Sequence, residues 1–153
     1  MSVRPGSGHS PPSEMGRDES VANSTAIGLR RLLIFHGFIT LAAAIVLTVA
    51  PGVIPGVVGI HLGLNAYMVA YLLAGAEFGF AVLSFGGSRL VDPQALRLVA
   101  WSCIAFHASS GALELYAYAQ GTNVLVLGNV VARIIMVALF ACLSRRGMRQ
   151  RAG

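Results

Sequence analysis

Four ionisable side chains stand inside runs that are otherwise apolar. They are Glu77 in YLLAGAEFGFAVLSF, His107 and Glu114 in LVAWSCIAFHASSGALELYAYA, and Arg133 in VLVLGNVVARIIMVALFACL. An ionised group in hydrocarbon carries a heavy desolvation cost, so each must be neutral, paired or turned toward something polar. His107 and Glu114 are seven residues apart, which puts them on one helix face, and Cys103, Ser110 and Tyr118 join that face by steps of three and four. Asn129 precedes Arg133 by four residues on its own ridge, and His36, Thr40 and Thr48 share a face of an earlier run. The expected site is therefore an intramembrane polar network of Glu77, His107, Glu114, Arg133, Asn129 and His36.

Within that network, depth suggests who pairs with whom. Counting about 1.5 Å per residue from the middle of each apolar run puts Glu77 and Arg133 level, and Glu114 roughly 8 Å farther toward the outside. The expectation is an ion pair between Glu77 and Arg133, with Glu114 protonated or compensated by His107. The same counting puts His36 and His107 at different depths, which argues against a haem held between them. No HxxxH or ExxH spacing supports a metal, and no G-x-S-x-G elbow supports hydrolysis. Cys103 and Cys142 form no CxxC pair, so neither a redox motif nor a zinc site is expected. The expectation is a protein without a catalytic site, metal or cofactor.

The elements that must position these groups are four apolar spans, 32–50, 66–85, 98–119 and 124–143, each near the roughly 20 residues a bilayer core requires. Proline and glycine mark the breaks: PGVIPGVVGIHLGLN after the first span, GGSRLVDPQ after the second, and QGTN after the third. Residues 1–28 are rich in proline, glycine and serine and hold almost no large apolar residue, so they are expected to be a disordered cytoplasmic tail. The first apolar run begins only after about thirty residues, which reads as a spanning helix and not a cleaved leader. The domain division is thus a tail over 1–28, a four-helix transmembrane domain over 29–145 and a basic cytoplasmic C-terminus over 146–153.

Composition agrees with that class. Hydrophobic residues make up 56% of the chain and charged residues 11%, against roughly 25% charged in soluble domains, and the mean hydropathy is +0.72. The net charge of +5 does not indicate nucleic acid, because all eleven basic residues are arginines and ten of them flank the apolar runs. Their placement sets an orientation. Arg4, Arg17, Arg30, Arg31, Arg89, Arg97, Arg145, Arg146, Arg149 and Arg151 all fall in the tail, the 86–97 connection or the C-terminus, and none falls in 51–65 or 120–123. Under the positive-inside rule both termini are cytoplasmic, and the expected location is the bacterial inner membrane, crossed several times.

Packing can be read from small residues. Ala70, Ala74, Ala81 and Ser84 share the face of Glu77, where they admit a close neighbour, while Gly75 and Gly79 form a GxxxG on the opposite face. That second face is the expected contact with a second copy or a larger membrane complex, beyond the lipid bilayer itself.

From Arg30 onward the chain resembles the DoxX-like group of small four-helix bacterial membrane proteins. The parts that carry the resemblance are the first helix running into APGVIPGVVGI, then YLLAGAEFGFAVLSF, then ALRLVAWSCIAFHASSGALELY. It implies a four-helix bundle and, since some members are linked to respiratory-chain or redox-stress assemblies, a role beside a larger complex. Where many members carry arginine near the polar position of the second helix, this chain has Glu77. Two functions follow as expectations: a non-enzymatic membrane component or accessory subunit, and, as the alternative, a small proton-coupled transporter or carrier.

Overall fold

The computed structural model describes the backbone of residues 12–149 and the side chains of residues 24–145. The chain runs α1 (Pro12–Val49), a short α2 (Val53–Val57), a single 3₁₀ turn (Leu64–Ala66), α3 (Tyr67–Gly87), α4 (Pro93–Ala119) and α5 (Val126–Arg149), with no strand among the described residues. Four of these helices are long and apolar enough to cross a membrane, through Ser24–Val49, Leu64–Gly87, Pro93–Ala119 and Val126–Arg145.

The first three apolar stretches are longer than the runs read from hydropathy, with the extra turns mostly at the arginine-bearing end, and the fourth keeps its 20 residues but lies two residues nearer that end. Arg30, Arg31 and Arg97 interrupt the apolar pattern without interrupting the helix. The backbone bonds continue past the last apolar residue, and long arginine side chains can reach polar surroundings from there. The segment 12–28, expected as part of a disordered tail, is helical: Pro12 opens α1 where its missing N–H costs nothing, and no second proline follows before the apolar run. Residues 1–11 and 150–153 of the two expected tails lie outside the described residues.

At the basic end, α4 starts at a well-built cap. Asp92 accepts from the backbone N–H groups of Gln94 and Ala95, and Pro93 takes the first helical position. Arg30 donates from Nη2 to the Leu90 carbonyl at 2.9 Å, tying α1 to the connection between α3 and α4. At the neutral end, Gly59 adopts φ +78° where a side chain would collide with Asn123, so the first and third connections meet there.

The helices form an up-down-up-down ring. α1 packs along α3, α4 along α5, and the two hairpins close through α1 against α5 and α3 against α4. α1 and α4 face each other across the diagonal. Bare backbone allows the close approaches: a Cβ on Gly37 would meet the Phe85 ring at 2.9 Å, and one on Gly87 would meet Val99 at 2.7 Å. The buried face of α3 is Ala70, Ala74, Glu77, Ala81, Ser84 and Gly87. The outer surface is apolar, with Phe35, Phe38, Leu72, Phe78, Leu113 and Ile134 among its exposed residues.

Candidate functional site: a histidine pair and an ion pair

The two histidines that depth counting separated are in contact. His36 lies near the middle of the apolar stretch of α1, and His107 near the middle of α4, once the helices are given their full lengths. Their Nε2 atoms stand 2.9 Å apart across the diagonal of the bundle, with the rings edge to face at 82°. One proton lies between the two nitrogens, so one imidazole donates and the other accepts. On its far side His36 Nδ1 is 2.8 Å from Ser84 Oγ of α3. Phe140 of α5 closes the site against the His36 ring, 5.5 Å between centroids. His36 is 1% exposed and Ser84, Cys103 and Phe140 are fully buried.

The 2.9 Å separation is that of a hydrogen bond; the two trans nitrogens of a haem iron, each about 2 Å from the ion, would stand about 4 Å apart. Among the described residues no group of three or more His, Cys, Asp or Glu is placed to hold a metal.

The ion pair differs from the expected one. Arg133 donates from Nε to Glu114 Oε1 at 2.8 Å, and Asn129 donates from Nδ2 to the same oxygen at 2.6 Å. Glu77 makes no hydrogen bond or ion pair among the described residues, where Arg133 pairs with Glu114. The physical reason is direction. A helical side chain leans toward the helix N-terminus, so Arg133, near the start of α5, leans toward the neutral end, where Glu114 lies. Gly111, one turn before Glu114, leaves α4 bare where the arginine stem crosses, with space for a Cβ at 3.7 Å. The guanidinium also lies over the Phe106 ring, 5.6 Å from its centroid, and Phe106 stacks on Phe80 of α3 at 4.1 Å. This pair is partly exposed, its side chains at 14% and 19%.

Thr40 and Thr48, expected to join the network, turn instead to the carbonyls of their own helix. Tyr118 is exposed. Ser84 entered the sequence reading only as a small packing residue; its seven-residue spacing from Glu77 already placed a hydroxyl on the interior face. A Cβ added at Gly75 or Gly79 would meet no described atom within 4 Å, and their face lies on the outside of the bundle. Gly75 lines an open groove of about 530 Å³ between α1 and α3, with Ala44, Ile45, Tyr71, Ala74 and Phe78.

His107 is 8% exposed and its Nδ1 has no partner, and Glu114 Oε2 is likewise buried and unmatched. Most buried polar atoms in proteins are paired, so these two mark where the interior network is incomplete.

No family model matches this chain, nor does any curated protein or solved structure.

Proposed function

We propose that the chain is a multi-pass protein of the bacterial inner membrane, both termini cytoplasmic, that serves as a non-enzymatic component beside a larger assembly. The observation that supports this most is the cross-bundle bonding: His36 to His107 ties α1 to α4, and Arg133 to Glu114 ties α4 to α5. The exposed GxxxG face on α3 and its apolar groove give the partner surface. The DoxX-like resemblance agrees with this reading. Extraction in a mild detergent followed by native sizing tests it. A species clearly larger than one chain with its micelle is expected, and a lone monomer under the mildest conditions overturns it. Orientation is tested separately: cysteines placed in 51–65 or 120–123 should react with an impermeant thiol reagent from outside, and cysteines in 86–94 should not.

A second reading, a small proton-coupled carrier, is supported by Glu77, a buried carboxyl with no partner among the described residues. Proton flux in reconstituted vesicles tests it.

A further inference from the structure

The arginines of the basic end are not spread evenly. Arg30 donates from Nη2 to the Leu90 carbonyl, which holds α1 against the connection that follows α3. Arg31 follows Arg30 and Arg89 precedes Leu90, so the same bond brings two further arginines to one seam between α1 and α3. Both are exposed. Among the described residues neither has a carboxylate partner. Asp92, the acid of this end, spends its two oxygens on the backbone N–H groups of Gln94 and Ala95. Like charges gathered without an anion repel one another, whereas a phosphate matches the fork of a guanidinium with two parallel hydrogen bonds.

Deeper in the membrane the same seam is aromatic. Arg31 and Phe38 are seven residues apart, so they share a face of α1 and differ in depth by about 10 Å. Phe38 meets Phe85 of α3 edge to face, 5.1 Å between centroids at 81°. Phe85 stands four residues before Arg89 and lies against the bare backbone of Gly37. Phe38 is 62% exposed, and a Cβ on Gly86 would meet nothing within 4 Å, so the seam is open on its outer side. An arginine that only orients a membrane protein needs neither a second arginine beside it nor an apolar seat beneath it. Cations above an open apolar seam fit one molecule with an anionic head and a hydrocarbon tail.

We propose that the basic end of the α1–α3 seam binds an anionic phospholipid, its phosphate held by Arg31 and Arg89 and an acyl chain laid along Phe38 and Phe85. Basic groups between membrane helices attract anionic headgroups, and a guanidinium serves better than a point charge because it grips two phosphate oxygens at once. The site rests only on the membrane-spanning part of the function proposed above. It needs neither a partner protein nor a given orientation, since the lipid comes from whichever leaflet lies at the basic end.

The full chain is purified in mild detergent, and its thermal unfolding midpoint is read with added phosphatidylglycerol, with phosphatidylcholine of the same acyl chains, and with inorganic phosphate. Phosphatidylglycerol should raise the midpoint by several degrees more than phosphatidylcholine, and inorganic phosphate should not raise it. No difference between the two lipids overturns the site, and an equal rise with inorganic phosphate overturns the lipid as its occupant. The double variant Arg31→Gln with Arg89→Gln should lose the difference. Arg97→Gln with Arg145→Gln removes the same charge from the same end and should keep it. A difference that survives the first pair, or disappears with both, means that the basic end attracts lipid as a whole surface, which also overturns the site. Native mass spectrometry of the unaltered protein in an equal mixture of the two lipids does not depend on how the variants fold. Phosphatidylglycerol should stay bound several-fold more often than phosphatidylcholine, and equal retention overturns the site. A lone monomer that keeps this preference overturns the assembly reading and leaves the lipid site standing.

Discussion

At the basic end, Leu29, Leu33, Leu96, Val99, Ala100, Cys103, Ile104 and Phe140 pack into one cluster that draws on α1, α4 and α5. At the neutral end, the corresponding cluster is only Leu47, Ala70 and Ala74, with Ile54 and Leu62 beside it. Polar chemistry divides along the same line. The well-packed end holds two imidazoles and a hydroxyl bonded to one another, with a buried thiol, all nearly inaccessible. The looser end holds the charges, Glu114 and Arg133, at 14–19% side-chain exposure. A neutral hydrogen bond can be fully buried at little cost once both partners are present. An ion pair loses more to desolvation the deeper it goes, so it is better tolerated where some polar access remains.

The largest effect that would test this contrast is expected at Phe140. It fills the centre of the basic-end cluster and covers His36. Phe140→Ala should cost about 3 kcal/mol or more through the cavity it leaves. A comparable truncation at the neutral end, Leu47→Ala, should cost less, because fewer buried neighbours surround it. Thermal unfolding in detergent compares the two. Equal losses would mean that the two halves are packed alike.

Next in size is the ion pair. Glu114→Gln should leave the arginine short of its carboxylate and lower stability by about 1–2 kcal/mol, a figure reduced from that for a fully buried pair because both groups are partly exposed. Glu77→Gln should cost less, since the carboxyl has no bonded partner to lose. The double variant Glu114→Gln with Arg133→Gln should recover part of the loss. The same measurement reads all three, and a larger loss for Glu77→Gln would mean that Arg133 serves Glu77 after all.

These residues also show what the sequence could and could not reveal. The four spans, the turns and the interior face of α3 follow from hydropathy, proline and glycine placement, and helical spacing. The pairing does not. Ending each span at its arginines moved the midpoint of α1 toward the neutral end and so separated His36 from His107. Depth along a helix also says nothing of which way a side chain leans, and that lean takes Arg133 to Glu114. Seven-residue spacing still put Ser84 with Glu77, and His107 with Glu114, on shared faces; what was missing was which faces meet across the diagonal.

A smaller effect is expected at the cap of α4. Asp92 satisfies two backbone donors at the basic end, and Asp92→Ala should cost about 1 kcal/mol while leaving the two halves as different as before. Replacement by asparagine should recover most of it. A loss as large as that of Phe140→Ala would mean that the basic end depends on its connection more than on its core.

The smallest effect on the bundle itself is expected where two glycines look alike in sequence and differ in place. Gly87 and Gly79 both lie on α3. At Gly87 a Cβ would come within 2.7 Å of Val99, which itself belongs to the basic-end cluster, so even Gly87→Ala forces the α3–α4 contact apart. At Gly79 nothing lies within 4 Å, and the position faces outward. Gly79→Leu should therefore leave the unfolding temperature of the monomer unchanged or slightly raised, since leucine is the better helix former. The same variant should abolish any larger species seen in mild detergent, because a bulky side chain blocks the close backbone approach that a GxxxG face permits. Monomer stability and native size are read on one preparation. If Gly79→Leu destabilises the monomer, the face is not free. If it leaves a larger species intact, α3 takes no part in that contact, and the partner surface must lie on another helix.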